Sequence, residues 1–209
     1  MQFQKNWEIE QYYKPNTNQT VIGFRAAYSI LDNKRMRTIF IEDKTQIDEI
    51  IGSCEICNLG VIDTENRPYV VPMNFGYHDG YIYMHGADFG KLIDAMKANP
   101  QVCVTFCTPV ELAAQDAHVA CSYRMKGKSV VARGKIEFIT DYDEKVDALN
   151  ILMAQYTDRK FTYNSPAVKN VEVYRLKPEE LTAKEFGAPH GNNFPWQIER
   201  DRKKSMKDL

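Results

Sequence analysis

Two alternating stretches, Tyr69 to Tyr77 and Tyr81 to His85, flank the tripeptide His78-Asp79-Gly80. Asp-Gly accepts the positive φ angles of a tight turn, so this region predicts a β-hairpin. The second strand then runs into His85-Gly86-Ala87-Asp88-Phe89-Gly90-Lys91, which ends the strand and opens a helix. Small residues, free backbone N–H groups and a lysine ammonium thus converge at one helix N-terminus, an arrangement that suits a phosphate.

The remaining elements follow from caps and periodicity. Asp43 caps a helix that carries Ile47, Ile50 and Ile51 on one face, and Gly52 stops it before a strand from Ile56 to Ile62. Asp63-Thr64-Glu65-Asn66 turns into the hairpin. Lys91 to Ala98 reads as a short helix burying Leu92, Ile93 and Met96, closed by Asn99-Pro100 because a residue before proline avoids the helical region. A strand from Gln101 to Thr108 and a loop from Pro109 to Asp116 come next. Val119 to Arg124 and Ser129 to Thr140 read as two strands joined at Met125 to Lys128. Asp141 caps a helix from Tyr142 to Gln155 with Val146, Leu149 and Met153 facing the core, and Val171 to Leu176 is a last strand. Many short antiparallel strands with a few flanking helices favour a closed barrel, since closure removes exposed sheet edges.

With 209 residues and 44% hydrophobic content, the chain can bury one sizeable core and little more. Met36 opens the compact region, which runs to Phe186. Residues 1–35 are an appendage, read either as an arm packing on a neighbour or as the product of a start assigned upstream of Met36. From Gly187 a Gly-, Pro- and Asn-rich tail turns basic and lies over the surface. Lys and Arg total 27 against 28 Asp and Glu, with no basic stripe, so nucleic acid is not an expected partner. No apolar run approaches the roughly 20 residues of a membrane span, and the first ten residues lack a leader pattern, so a cytoplasmic location is expected. Five scattered cysteines suit reduced thiols rather than a disulfide framework. Cys54 and Cys57 form a lone pair without thioredoxin context and read as buried structural thiols. Cys103, Cys107 and Cys121 have no metal-ligand spacing to His118 or His190, so no metal is expected.

Pro72-Met73-Asn74-Phe75 on the hairpin, Tyr83-Met84-His85-Gly86 on its second strand, Gly90-Lys91 opening a helix that leads to Ala98-Asn99-Pro100-Gln101-Val102-Cys103, and Ser129 to Gly134 follow one another in the chain. This order resembles the pyridoxamine 5'-phosphate oxidase-like flavoproteins, and within them the Nim-type, nitroimidazole-resistance branch, over Met36 to Phe186. The resemblance implies a mainly β, antiparallel split β-barrel homodimer with FMN in each of two clefts between subunits. It places Lys91 beside the flavin phosphate, with the backbone from Ala87 to Gly90 completing the anion site and Gly86 a further cofactor contact. His85 is implied as a polar flavin contact first and a proton donor second, its ordinary pKa near 6.5 permitting the latter. Asn74 would meet the ring's mixed N–H and C=O edge, Met73 would pack on the ring, and Ser129 would point toward the cofactor.

Each residue also has a purely structural reading. Lys91 is then a solvated helix-start lysine, although a cation there opposes the helix dipole unless an anion is near. His85 is a strand-end histidine satisfied by backbone, Met73 is core, and Ser129 serves a turn. Oxidases of the family carry several cations where this chain has Tyr69 to Asn74 and Gly90-Lys91, which argues against a pyridoxamine-phosphate substrate. Trp196 and Arg200 echo oxidase C-termini without matching their surroundings. The implied function is an FMN-dependent oxidoreductase acting on a small planar acceptor such as a nitroaromatic. The alternatives are a flavin-binding sensor or carrier without turnover, and a haem-binding split barrel using His85 or His190.

Overall fold

The computed structural model describes residues 38–114 and 116–188; the appendage before Thr38 and the tail from Pro189, with His190, Trp196 and Arg200, lie outside the described residues. The chain begins with β1 (Thr38–Ile41) and α1 (Lys44–Gly52). Asp43 caps α1 by accepting the Gln46 N–H at 2.9 Å, and Ile47, Ile50 and Ile51 are its buried face. There follow β2 (Cys57–Ile62), β3 (Pro68–Met73), β4 (Gly76–His78) and β5 (Tyr81–Ala87). The β4–β5 turn has Asp79 at φ 55° and Gly80 at φ 78°, the left-handed pair that its Asp-Gly sequence predicts. Then come α2 (Lys91–Ala98), β6 (Gln101–Cys107), β7 (Glu111–Ala113), a 3₁₀ turn at Ala120–Ser122 and the sixteen-residue β8 (Arg124–Ile139). The domain ends with α3 (Tyr142–Ala154), α4 (Ser165–Lys169), β9 (Val171–Leu176) and β10 (Glu180–Phe186).

All pairings are antiparallel, in the order β3-β2-β6-β8-β9-β5-β4, with β10 lying between β8 and β1 and β7 pairing with the start of β8. The path ends in β3 and β4, which are neighbours in sequence. The sheet therefore curls into a half-barrel that stays open between them: a split barrel rather than the closed one that edge avoidance favours.

That opening is built at Asn74-Phe75, where the expected first hairpin strand breaks. β3 pairs with β2, whereas β4 pairs with β5, so the chain crosses from one half of the sheet to the other. The break would orphan the Phe75 N–H, but the Tyr156 hydroxyl accepts it at 2.9 Å while donating to the Glu55 carbonyl at 2.9 Å. The Phe75 ring is fully buried edge-on against Phe106, with centroids 4.9 Å apart. Gly76 then lets α3 press on the sheet, because a Cβ there would stand 2.7 Å from the Leu152 Cα.

Three other expectations are corrected. Val119 to Arg124 and Ser129 to Thr140 are not two strands; Met125 to Lys128 lies within β8, where Met125 and Lys126 pair with β7 and Gly127 and Lys128 with β10. β7 itself forms within the expected loop, since those β8 residues offer it a ladder. In α3 the buried positions are Ala148, Leu149 and Leu152, with Val146 and Met153 on the flanks, because the small Ala148 admits a closer approach than the spacing of larger residues suggests. No helix among the described residues is long and apolar enough to cross a membrane.

The sheet has two outer faces. The interior cluster takes Leu59, Phe75, Met84, Phe106, Val130 and Tyr174, and α1 and α2 send their buried residues into it. On one outside, α3 and α4 cover β5 and β9 through a second cluster of Ile139, Ala148, Leu149, Val168 and Val173. On the other outside, register aligns Val70, Gly60, Cys103, Arg133 and Glu180 in one outward row and Pro72, Asn58, Thr105, Val131 and Thr182 in the next. Val70 is 62% exposed there.

Candidate functional site

Asp63 directly follows β2 and joins its turn to Lys91. Its Oδ1 accepts the N–H groups of Glu65 at 3.0 Å and Arg67 at 2.8 Å, and its own N–H donates to the Arg67 carbonyl at 2.9 Å. These bonds lock the β2–β3 turn around a residue only 5% exposed. Its Oδ2 sits 2.9 Å from the Lys91 ammonium, which also lies 4.8 Å from the centre of the Tyr69 ring. Arg67 approaches the same oxygen at 3.5 Å but is held mainly by Glu65 at 2.6 Å. The Lys91 ammonium, followed by the Arg67 N–H, holds the Asp63 carboxyl down to about 2.

Lys91 opens α2, whose N-cap is Gly90 at φ 112° with no side chain capping the first turn. Gly90 supplies a backbone angle that an L side chain resists. A first turn without a side-chain cap, beside an ammonium whose side chain is 50% exposed, makes an anion-favouring corner. The anion that lets a lysine start this helix is the chain's own Asp63. Sequence reasoning took Asp63 only as a turn residue; the signal available was an aspartate at a strand end four residues before an arginine.

The other predicted residues are spread over different surfaces. Met73 points inward, half-buried, and its Sδ accepts the Tyr174 hydroxyl at 3.5 Å. Gly86 stands on the same side, where a Cβ would lie 3.5 Å from that hydroxyl. Tyr174, fully buried with its phenol pushed upward by burial, is a neighbour that sequence reasoning missed. Asn74 is exposed at the strand break, and Ala87 and Gly90 are exposed beside α2. His85 faces the opposite way from Met84, sharing its side with its cross-strand partner Val173 of the second cluster. Its Nδ1 is buried without a hydrogen-bond partner, and burial lowers its pKa, so the imidazole is neutral at pH 7. The Tyr163 hydroxyl, packed against the second cluster, is likewise buried without a partner. Ser129 lies between Cys107 and Lys184 on the uncovered face.

Three surface grooves stand apart from these residues. The grooves lined by Tyr77, His78 and Asn150, by Met153, Arg159 and Phe161, and by Thr108, Lys126 and Glu185 contain none of them. Cys54 and Cys57 are buried as expected, and burial pushes the Cys57 thiol up to about 12, which keeps it protonated and unreactive. Among the described residues no group of His, Cys, Asp and Glu is arranged to hold a metal ion.

An antiparallel barrel split between β3 and β4, with a lysine-bearing helix start after its hairpin, defines a split-barrel protein. Residues 43–185 match the family described as pyridoxamine 5'-phosphate oxidase, and the chain belongs to that family. It is 43% identical to a candidate 5-nitroimidazole antibiotic resistance protein from Bacteroides thetaiotaomicron, covering 72% of this chain and 88% of that one at a TM-score of 0.66. The fold is shared with the flavocytochrome Anf3 from Azotobacter vinelandii, 20% identical over 77% of this chain and 74% of that one at a TM-score of 0.64. It is also shared with an FAD- and haem-binding protein from Mycobacterium smegmatis, 14% identical over 78% and 80% of the two chains at a TM-score of 0.65. No curated protein gives a significant match.

Proposed function

We propose that this protein binds FMN in clefts between two copies of the chain and works as an oxidoreductase on a small planar acceptor such as a nitroaromatic. The observation that carries the reading is the half-exposed Lys91 ammonium beside the uncapped start of α2, in a chain 43% identical to a candidate nitroimidazole resistance protein. The donor set suits one phosphate monoester: an ammonium and the uncapped first-turn N–H groups of α2. It does not suit a second phosphate on the substrate, because Arg67 is taken by Glu65 and Lys91 is shared with Asp63. A nitroaromatic acceptor fits that constraint better than pyridoxamine phosphate.

Bound flavin would supply the hydride and single-electron chemistry. Lys91, with Gly86, Ala87 and Gly90, holds the phosphate end. His85, with an unpartnered ring nitrogen, has hydrogen-bonding capacity to give to a ring edge, and Asn74, exposed at the barrel opening, has an amide for the same purpose. A neutral imidazole favours contact over proton donation from an imidazolium. Met73 borders the interior and Ser129 the uncovered face, so both reach one cleft only where a second copy completes it. The uncovered outward rows of β3, β2, β6, β8 and β10 are the surface for that copy.

The test is purification after expression with ample riboflavin, followed by absorption spectroscopy and mass spectrometry of whatever denaturation releases. Flavin bands and released FMN are expected; a colourless protein that also fails to bind added FMN sinks the reading. Lys91→Ala should weaken FMN binding about 10- to 100-fold, the equivalent of losing one hydrogen bond to a charged group.

A further inference from the structure

We propose that Asp63 is a positioning residue for Lys91, a buried carboxylate that aims the ammonium at an arriving phosphate monoester before that phosphate binds. This rests on the phosphate reading of Lys91 and goes beyond it. A surface lysine samples many rotamers, and freezing them opposes binding. Here the freezing is already done. The Lys91 ammonium is fixed 2.9 Å from Asp63 Oδ2 and over the Tyr69 ring, although half the side chain is exposed.

The anchor is itself rigid. The Asp63 side chain is 2% exposed, and its Oδ1 is fastened to the Glu65 and Arg67 N–H groups. The contact is an ion pair by distance, and Asp63 Oδ2 is buried without a hydrogen-bond partner of its own, so the three donors of the ammonium remain for an incoming oxygen. The arrangement joins the β2–β3 turn to the start of α2 through one ion pair, so that the turn sets where the charge stands.

The same carboxylate also repels a phosphate, so the two effects oppose each other. Two backbone N–H groups, Lys91 and the nearby Arg67 already compensate its charge, which reduces the repulsion while leaving the orientation intact. Asp63→Asn separates them cleanly. An amide oxygen can keep both backbone bonds and the turn, but a neutral side chain holds an ammonium far less firmly.

FMN titration of the full chain, with inorganic phosphate as competitor, provides the test in four proteins: wild type, Asp63→Asn, Lys91→Ala and the double variant. Thermal unfolding of each serves as the control for folding. Asp63→Asn should weaken FMN and inorganic phosphate about 5- to 10-fold, and should have no further effect once Lys91 is alanine. Tighter binding by Asp63→Asn would make the carboxylate a competitor and overturn the proposal. An equal loss in the Lys91→Ala background would mean that the turn alone matters, and would overturn it too. If Lys91→Ala itself binds FMN normally, the phosphate reading of Lys91 falls and takes this inference with it; if only Asp63→Asn is silent, the inference falls alone.

Discussion

Among the described residues, helices cover one outer face of this sheet and none covers the other. Over β5 and β9, α3 and α4 lay down Leu149 and Val168, and a second apolar cluster forms around Val173. Across β3, β2, β6, β8 and β10, the outward rows instead mix Val70, Val131 and Cys103 with Asn58, Thr105, Arg133 and Glu180. The covered face is apolar because its partner is always present. The other face is mixed, as suits a surface in contact with water. His85 belongs to the first face and Ser129 to the second. Proposed site residues thus sit on both faces.

If this contrast is sound, substitutions on the two faces should behave differently. Leu149→Ala on the covered face should cost about 2 to 5 kcal/mol in denaturant unfolding, the range for emptying a packed leucine site. A loss below ~0.5 kcal/mol would mean that α3 does not finish this face. Gly76→Ala should cost about 1 to 3 kcal/mol, because a methyl group meets α3 backbone that cannot yield cheaply. Val70→Asp on the uncovered face should change monomer stability by less than about 0.5 kcal/mol while abolishing self-association in light scattering. A variant that still dimerises removes this surface from the dimer reading.

How far the sequence foretold this contrast depends on what each part needed. Local chemistry was legible: Asp43 and Asp141 cap their helices, and Asp79-Gly80 makes its turn. What was not legible depends on distant partners. Nothing near Asn74 says that β3 will pair with β2 and β4 with β5, nor that Tyr156 will take the freed Phe75 N–H. β1 and β10 were invisible because β1 pairs only with β10, and β10 in turn with β8. The site followed the same rule. Lys91 stood out from its helix start, whereas Asp63 matters only through a contact made across twenty-eight positions of chain.

The smallest expected effect is also the sharpest test of which face His85 occupies. Its imidazole is held below the ordinary histidine range by burial, so the unfolded chain takes up a proton first as pH falls. The stability tied to the neutral ring is therefore complete above about 6.5, the unfolded value, and is lost progressively as pH falls below it. His85→Gln, which cannot titrate, should flatten the fall in melting temperature between about pH 7 and 5 relative to wild type. An unchanged slope would place the imidazole in water rather than against the second cluster. Bound FMN adds one more distinction: if His85 meets the cofactor, saturating FMN should alter this slope more in wild type than in His85→Gln, where only the phosphate's own titration at about pH 6 is left to change it.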